Sequence, residues 1–347
     1  MSATPLTPEQ SQKIRNMGIL CAFLVVLIHC RPKFDYGTFG WWVKEFLQNG
    51  VTHIAVPFFF IVSGYMLARD LKGGYKAAIT KRARSLLLPF VLWNVLFWLF
   101  SIALQNIDNL VNGREMELWI PTVSQFGLWY TDCPLLTPLW YIRALFVLAC
   151  ISPVLLCCTK RFSYWFLLIL LVIYGFICPF APMSGWTGLR QFARVGLFPV
   201  LGLFYFTLGI AIHEGMLEPY KFIELGRGSG FFSLLVGVIL IVIRAIFAYM
   251  NIPYSYYLGF LSIPFMLYGL WSIVSCKELP KWLVSCSFGV YLIHKFVLLV
   301  LKSFINVNSS VIAYVGCAII AFSASIAIVI ELRMCMPCVA KVLFGGR

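Results

Sequence analysis

Phe23-Leu24-Val25-Val26-Leu27-Ile28-His29-Cys30 closes the first long apolar run of this chain, and it closes on a histidine. Such runs decide the fold class, because a helix needs about 20 apolar residues to cross the hydrocarbon core of a bilayer. Ten are expected, over 16–31, 51–69, 86–106, 138–158, 162–182, 195–213, 229–250, 254–275, 281–301 and 311–332. The composition agrees. The chain is 61% hydrophobic and 12% charged, with mean hydropathy +0.90, whereas a soluble domain carries about 25% charged residues. The expected fold is all-α: a polytopic transmembrane bundle over 16–332, with a short polar tail over 1–15 and a second tail over 333–347. The first run is short and follows Lys13 and Arg15, as a signal sequence would. No small-residue cleavage site follows it, so it is read as a retained helix. The chain has no internal repeat and no low-complexity tract.

The cations orient the bundle, since cytoplasmic loops are enriched in Lys and Arg. With the N-terminus in the cytoplasm, the inner segments hold Lys13, Arg15, Arg69, Lys72, Lys76, Lys81, Arg82, Arg84, Lys160, Arg161, Lys221, Arg227, Lys277, Lys281, Arg333, Lys341 and Arg347. The outer segments hold Arg31, Lys33, Lys44, Arg114, Arg190, Arg194 and Lys302, so the bias is seventeen against seven. Both termini are expected in the cytoplasm, and the protein is expected in the cell membrane. The longest outer loop, 107–137, carries Asp108, Glu115, Glu117 and Asp132. The net charge of +14 points to anionic lipid rather than nucleic acid, because the cations lie in loops beside spans. Most of the twelve cysteines sit in apolar runs, as Cys21, Cys150, Cys178 and Cys317 do, where a thiol packs as a small hydrophobe. Cys335-Met-Pro-Cys338 has metal-like spacing, but two ligands do not close a zinc site; it reads as a juxtamembrane thiol pair, and no metal is expected.

Ionisable groups inside a bilayer are costly and mark functional sites by default. Three of the four histidines, His29, His53 and His294, lie in or at the mouth of apolar runs. In this topology His29 ends an outward-running helix, His294 lies about two-thirds of the way outward in the ninth, and Trp140, Tyr141 and Arg143 begin the fourth near the same face. His53 reads as interfacial, and His213, at a cytoplasmic helix end, has no assigned role. The densest inner cluster, Lys81, Arg82 and Arg84, either binds anions or only sets topology. Ser63, Gly64 and Tyr65 suit a pocket wall or close helix packing, and Arg244 a helix pair. A neutral imidazole can take a proton from a hydroxyl as that hydroxyl attacks a carbonyl. The spans hold no carboxylate pair for glycoside hydrolysis, no carboxylate cluster for Mg²⁺-dependent phosphoryl transfer and no Gly-x-Ser-x-Gly elbow. Acyl transfer to an alcohol fits. So does a proton-coupled transporter or flippase of a lipid-linked sugar, although repeats and paired broken helices are not evident. A sensor without catalysis is a third reading.

At this point the motifs combine. Phe-Leu-Val-Val-Leu-Ile-His29, Val56-Pro-Phe-Phe-Phe-Ile-Val-Ser63-Gly64-Tyr65, Lys81-Arg82-Ala-Arg84 before Leu-Pro89-Phe90, and Ser287-Phe-Gly289-Val-Tyr291-Leu-Ile-His294 fall in this order on the predicted spans. Pro138-Leu-Trp140-Tyr141-Ile-Arg143 adds a fifth, weaker stretch. The chain resembles the acyltransferase-3 family of membrane O-acyltransferases over nearly its full length. The resemblance implies transfer of an acyl group, usually acetyl, from cytoplasmic acyl-CoA to a hydroxyl of a surface or lipid-linked carbohydrate, with no bound cofactor. It implies catalytic roles for His29, Arg15 and His294, donor binding by Lys81, Arg82 and Arg84, and a pocket formed by Ser63, Gly64, Tyr65, Trp140, Tyr141 and Arg143. One departure concerns the arginine that the family places eleven residues before the first histidine, since Gly18 stands there. Arg15 is fourteen residues before His29 and returns to within roughly 40° of its face at about 100° per residue.

Overall fold

Thr7-Pro8-Glu9-Gln10 starts the first helix with a reciprocal cap. The Gln10 amide donates to Thr7 Oγ1 at 3.1 Å, and the Thr7 amide donates to Gln10 Oε1 at 2.9 Å. Pro8 stands at the first helical position, where its missing N–H costs nothing. Residues 8–15, assigned to a polar tail in sequence, are therefore the first two turns of α1 (Pro8–Cys30). The computed structural model describes residues 6–116, 135–183, 200–216, 226–252 and 255–346. Arg190, Arg194, Lys221, Arg347, Glu117 and Asp132, used in the sequence reading, lie outside them.

After α1 come α2 (Phe39–Leu47), α3 (Ala55–Leu71), α4 (Tyr75–Arg82), α5 (Leu88–Val111), α6 (Trp140–Met183), α7 (Val200–His213), α8 (Gly226–Tyr249), α9 (Ser255–Ile273), α10 (Lys281–Ser285), α11 (Ser287–Phe304), α12 (Val311–Cys335) and α13 (Pro337–Leu343). The described residues contain no strand. Eight helical stretches among them are long and apolar enough to cross a membrane, and Gly202–His213 is a shorter apolar helix. The expected runs 138–158 and 162–182 both fall in α6, which leaves helical geometry at Ser163 (φ 51°, ψ −131°). The run expected from 281 is interrupted. The short α10 is capped off at Cys286, and the membrane-length helix starts at Ser287.

Small residues set the helix contacts, as expected where lipid tails are as apolar as side chains and burial alone gives little. A Cβ on Gly64 of α3 would collide with the Phe206 carbonyl of α7, and one on Gly209 of α7 with the Ile61 carbonyl of α3. These two backbones therefore lie in direct contact. Large side chains such as Leu99, Trp165, Phe232 and Ile239 face outward from α5, α6 and α8, as lipid-facing positions do. α2 was not expected. It buries Glu45, whose carboxylate accepts from both terminal nitrogens of Arg244 in α8 at 3.0 and 3.1 Å. The helix pairing read for Arg244 is this buried ion pair. α11 packs against α1 and α12, and the first of these contacts builds the site.

Candidate functional site

α1 carries His29 in its final turn. The next residues turn sharply, with Arg31 in the left-handed region (φ 44°, ψ 69°), a conformation that costs a non-glycine residue about 1 kcal/mol and tends to persist near functional sites. The Lys302 ammonium of α11 donates to the His29 carbonyl at 3.5 Å, which meets one of the carbonyls a helix end leaves unpaired. Arg31, Lys295 and Lys302 all lie within electrostatic reach of the His29 ring.

Against it stands His294, fully buried in α11. The two imidazole centroids are 5.1 Å apart with planes tilted by 41°, although the residues are 265 positions apart in sequence. His294 Nδ1 lies 3.1 Å from the Val290 carbonyl one turn back. A carbonyl only accepts, so that nitrogen carries the proton and Nε2 presents a lone pair. Nε2 of His294 and Nδ1 of His29 are both buried without a hydrogen-bond partner. Buried polar atoms are nearly always paired, so unpaired ones invite explanation. Here two lie on adjacent rings.

From this pair a line of rings runs through the bundle. His294 lies 6.3 Å from Tyr291, and Tyr291 lies 5.9 Å from Tyr141 of α6. The Tyr291 hydroxyl donates to the Pro138 carbonyl. The Tyr141 hydroxyl is 3.4 Å from Ser63 Oγ, and its ring packs edge-on against Phe60 at 4.8 Å. Arg82 lies within electrostatic reach of the Tyr141 phenol.

Arg82 opens the second half of the site. Its guanidinium holds Asp70 at 2.9 Å, and Lys81 holds the same carboxylate oxygen at 3.0 Å. Arg82 Nε is buried and unpartnered. α4 and α5 join through a π-helical turn, Ala83–Leu87, a feature frequent at functional sites. The turn keeps Arg84 on the wall of a groove of about 1220 Å³. Lys76, Lys81, Arg82, Arg84 and Lys341 line this groove, and among the described residues no acidic one does. From Asp70 to Ser63 is seven residues of α3, about 10 Å along its axis.

A family model described as an acyltransferase domain matches residues 14–330. The chain belongs to the acyltransferase-3 family. It is 28% identical over 176 residues to the succinoglycan biosynthesis protein ExoH of Rhizobium meliloti (strain 1021), a match covering 46% of each chain. The chain thus spans about half the length of that curated relative. No solved structure matches.

Within this acyltransferase-3 chain the sequence-derived residues separate. His29 and His294 meet, and Ser63 and Tyr141 stand on the same ring line. Lys81, Arg82 and Arg84 share the groove. Arg15 goes elsewhere: its guanidinium donates to Gln12 Oε1 at 3.0 Å from Nε, and fourteen residues of helix place it about 21 Å from His29 along the axis. Tyr65 packs against His213, with ring centroids 5.1 Å apart, and lines a separate apolar cleft of about 270 Å³. Gly64 serves the α3–α7 contact. Trp140 packs on Phe60 at 6.4 Å, and half-buried Arg143 lies two residues past Tyr141, on the far side of the helix. His53 is exposed. In sequence Tyr291 is only part of the ninth-span motif and Lys302, Lys76 and Lys341 are only orienting charges, with no site role. Tyr291 had a signal, because it lies one turn before His294 and faces the same way.

Proposed function

We propose that this protein is a membrane O-acyltransferase that moves an acyl group, acetyl in the expected case, from acyl-CoA bound at the basic groove to a hydroxyl of a surface or lipid-linked saccharide. The observation that carries the reading is the His29–His294 pair with its two unpartnered ring nitrogens, in a chain that also presents a groove of five cations. Family membership supports acyl transfer, and similarity to ExoH, a succinoglycan biosynthesis protein, supports a polysaccharide acceptor.

The chemistry follows from the parts. The acceptor hydroxyl donates to His29, which removes its proton as the oxygen attacks the thioester carbonyl. His294, fixed by Val290, accepts a hydrogen bond at Nε2 and stabilises the imidazolium formed on His29. The negative charge developing on the carbonyl oxygen is favoured by the field of Arg31, Lys295 and Lys302. Collapse of the tetrahedral intermediate breaks the carbon–sulfur bond, and the CoA thiolate recovers the proton from His29. The phosphates stay with the cations of the groove, while the pantetheine arm runs beside Tyr141 and Tyr291. With the groove on the cytoplasmic side, as the cation bias favours, the donor enters from within and the acceptor from outside.

Mass spectrometry of envelope saccharides from cells with and without the protein tests this reading. Expected is a mass increment of one acyl group per modified unit that disappears with the gene and does not return with His29→Ala. Identical saccharide masses in both strains, with the protein present in the membrane of one, would refute it.

A further inference from the structure

Residues 333–347 read as a tail in sequence, yet 337–346 are docked. Phe344 is fully buried and stacks on Trp93 of α5, with ring centroids 6.2 Å apart and planes within 23°. Trp93 Nε1 donates to the Leu343 carbonyl at 2.9 Å, and the Arg333 guanidinium lies 5.7 Å from the Phe344 ring centre. Gly345 has a left-handed backbone (φ 63°), and a Cβ there would come within 2.6 Å of the Ser85 carbonyl oxygen. Only glycine seats here without displacing its neighbour. Ser85 belongs to the π-helical turn that carries Arg84. The docking therefore presses the end of the chain onto the basic turn and turns α13 towards the groove, whose wall includes Lys341, Gly345 and Gly346.

The charge balance of the groove gives this wall a task. Asp70 compensates Lys81 and Arg82. Lys76, Arg84 and Lys341 have no ion-pair partner among the described residues, and Arg82 keeps one buried nitrogen unpaired. Cations gathered from α4, the π turn and α13 without a carboxylate among the lining residues suit a ligand with several phosphate oxygens. We propose that the docked C-terminal segment is a wall of the donor site and that Lys341 contacts a phosphate of the nucleotide thioester, an inference that rests on the acyl-CoA assignment above. Phosphate is also the chemistry of lipid headgroups, and the test must separate the two sources.

Binding of coenzyme A to the full chain is measured in nanodiscs of zwitterionic lipid and of anionic lipid. Lys341→Gln is expected to weaken binding about five- to tenfold in both, the size of one partly exposed charged contact, with Lys341→Arg close to the parent. Gly345→Val, which unseats the segment, is expected to weaken binding at least as much, and neither variant should change the KM for the acceptor. Lys341 is exposed, so Lys341→Gln should melt with the parent, which keeps the test open even if Gly345→Val folds poorly. Parent-like binding by Lys341→Gln, with Lys81→Gln weakened, would overturn the C-terminal wall and leave the donor assignment standing. An effect confined to anionic discs would assign the groove to headgroups and overturn the wall as a donor contact. Absence of coenzyme A binding by the parent would remove both.

Discussion

Purified His29→Ala is expected to lose acyl transfer by about 10²- to 10⁴-fold, roughly 3–5 kcal/mol of transition-state stabilisation, while inserting normally and binding donor with parent affinity. The side chain closes no hydrogen bond through Nδ1, and the helix end around it is held through its carbonyls, by Gln48 on Ile28 at 3.2 Å and Lys302 on His29 at 3.5 Å. Its removal should therefore cost chemistry rather than folding. His294→Ala should fall in the same range, because it removes the acceptor that holds the imidazolium of His29. Two groups acting as one unit are not additive, so the double variant should be scarcely slower than the slower single. The check is single-turnover transfer in detergent or nanodiscs, with donor binding measured on the same samples. Near-parent turnover by His29→Ala would exclude it as the base, and additive losses would exclude the pair as a unit.

Neutralising Lys81, Arg82 and Arg84 together should raise the apparent KM for acyl-CoA by about 100-fold or more, since each charge-assisted contact is worth roughly 1.5–3 kcal/mol when well formed and less when solvated. The KM for the acceptor should stay within a few-fold. The donor affinity that remains in the parent should fall with added salt, as contacts to exposed charges do. Arg82 also holds Asp70, whose side chain is only 11% exposed, so its loss leaves a carboxylate poorly matched. The paired variant Lys81→Gln, Arg84→Gln keeps the Arg82–Asp70 bond and separates binding from stability. It should give most of the KM effect with an unchanged melting temperature. Steady-state kinetics at several salt concentrations, on protein of verified topology, would decide. Parent-like donor KM in a correctly inserted triple variant would reduce these cations to topology signals.

Sequence and structure part company at identifiable places. Membrane character was legible, and His29 and His294 stood out as candidates because buried ionisable groups are rare enough to be conspicuous. Their contact was not, because no local pattern records that α1 packs on α11 across 265 residues of chain. Arg15 shares the face of His29 by helical phase at about 21 Å along the axis, and its guanidinium is engaged by Gln12, a partner that phase does not record. Gly64 and Tyr65 adjoin Ser63 in sequence but point to other helices. The segment Gly64-Tyr65 thus supplies a backbone contact with Phe206 and a ring contact with His213, and Ser63 turns towards Tyr141. The two tails illustrate the opposite error. Thr7-Pro8-Glu9-Gln10 carries a readable cap signature, and Phe344-Gly345-Gly346 an anchor beside left-handed glycines, but polar or short terminal stretches are easily dismissed. The break at Ser163 falls beside the boundary expected between the runs 138–158 and 162–182, where Lys160 and Arg161 are the signal.

The central claim is that the thioester enters at the basic groove while the hydroxyl reaches the histidines from the opposite face. Proteoliposomes oriented with the groove inward, loaded with acetyl-labelled acetyl-CoA and exposed to envelope saccharide only outside, test it directly. The account predicts labelled saccharide outside, with free CoA retained inside in equal amount, and no label transferred by His29→Ala vesicles. Labelled product formed only when donor and saccharide share one side, or saccharide crossing unmodified with no thioester consumed, would contradict it.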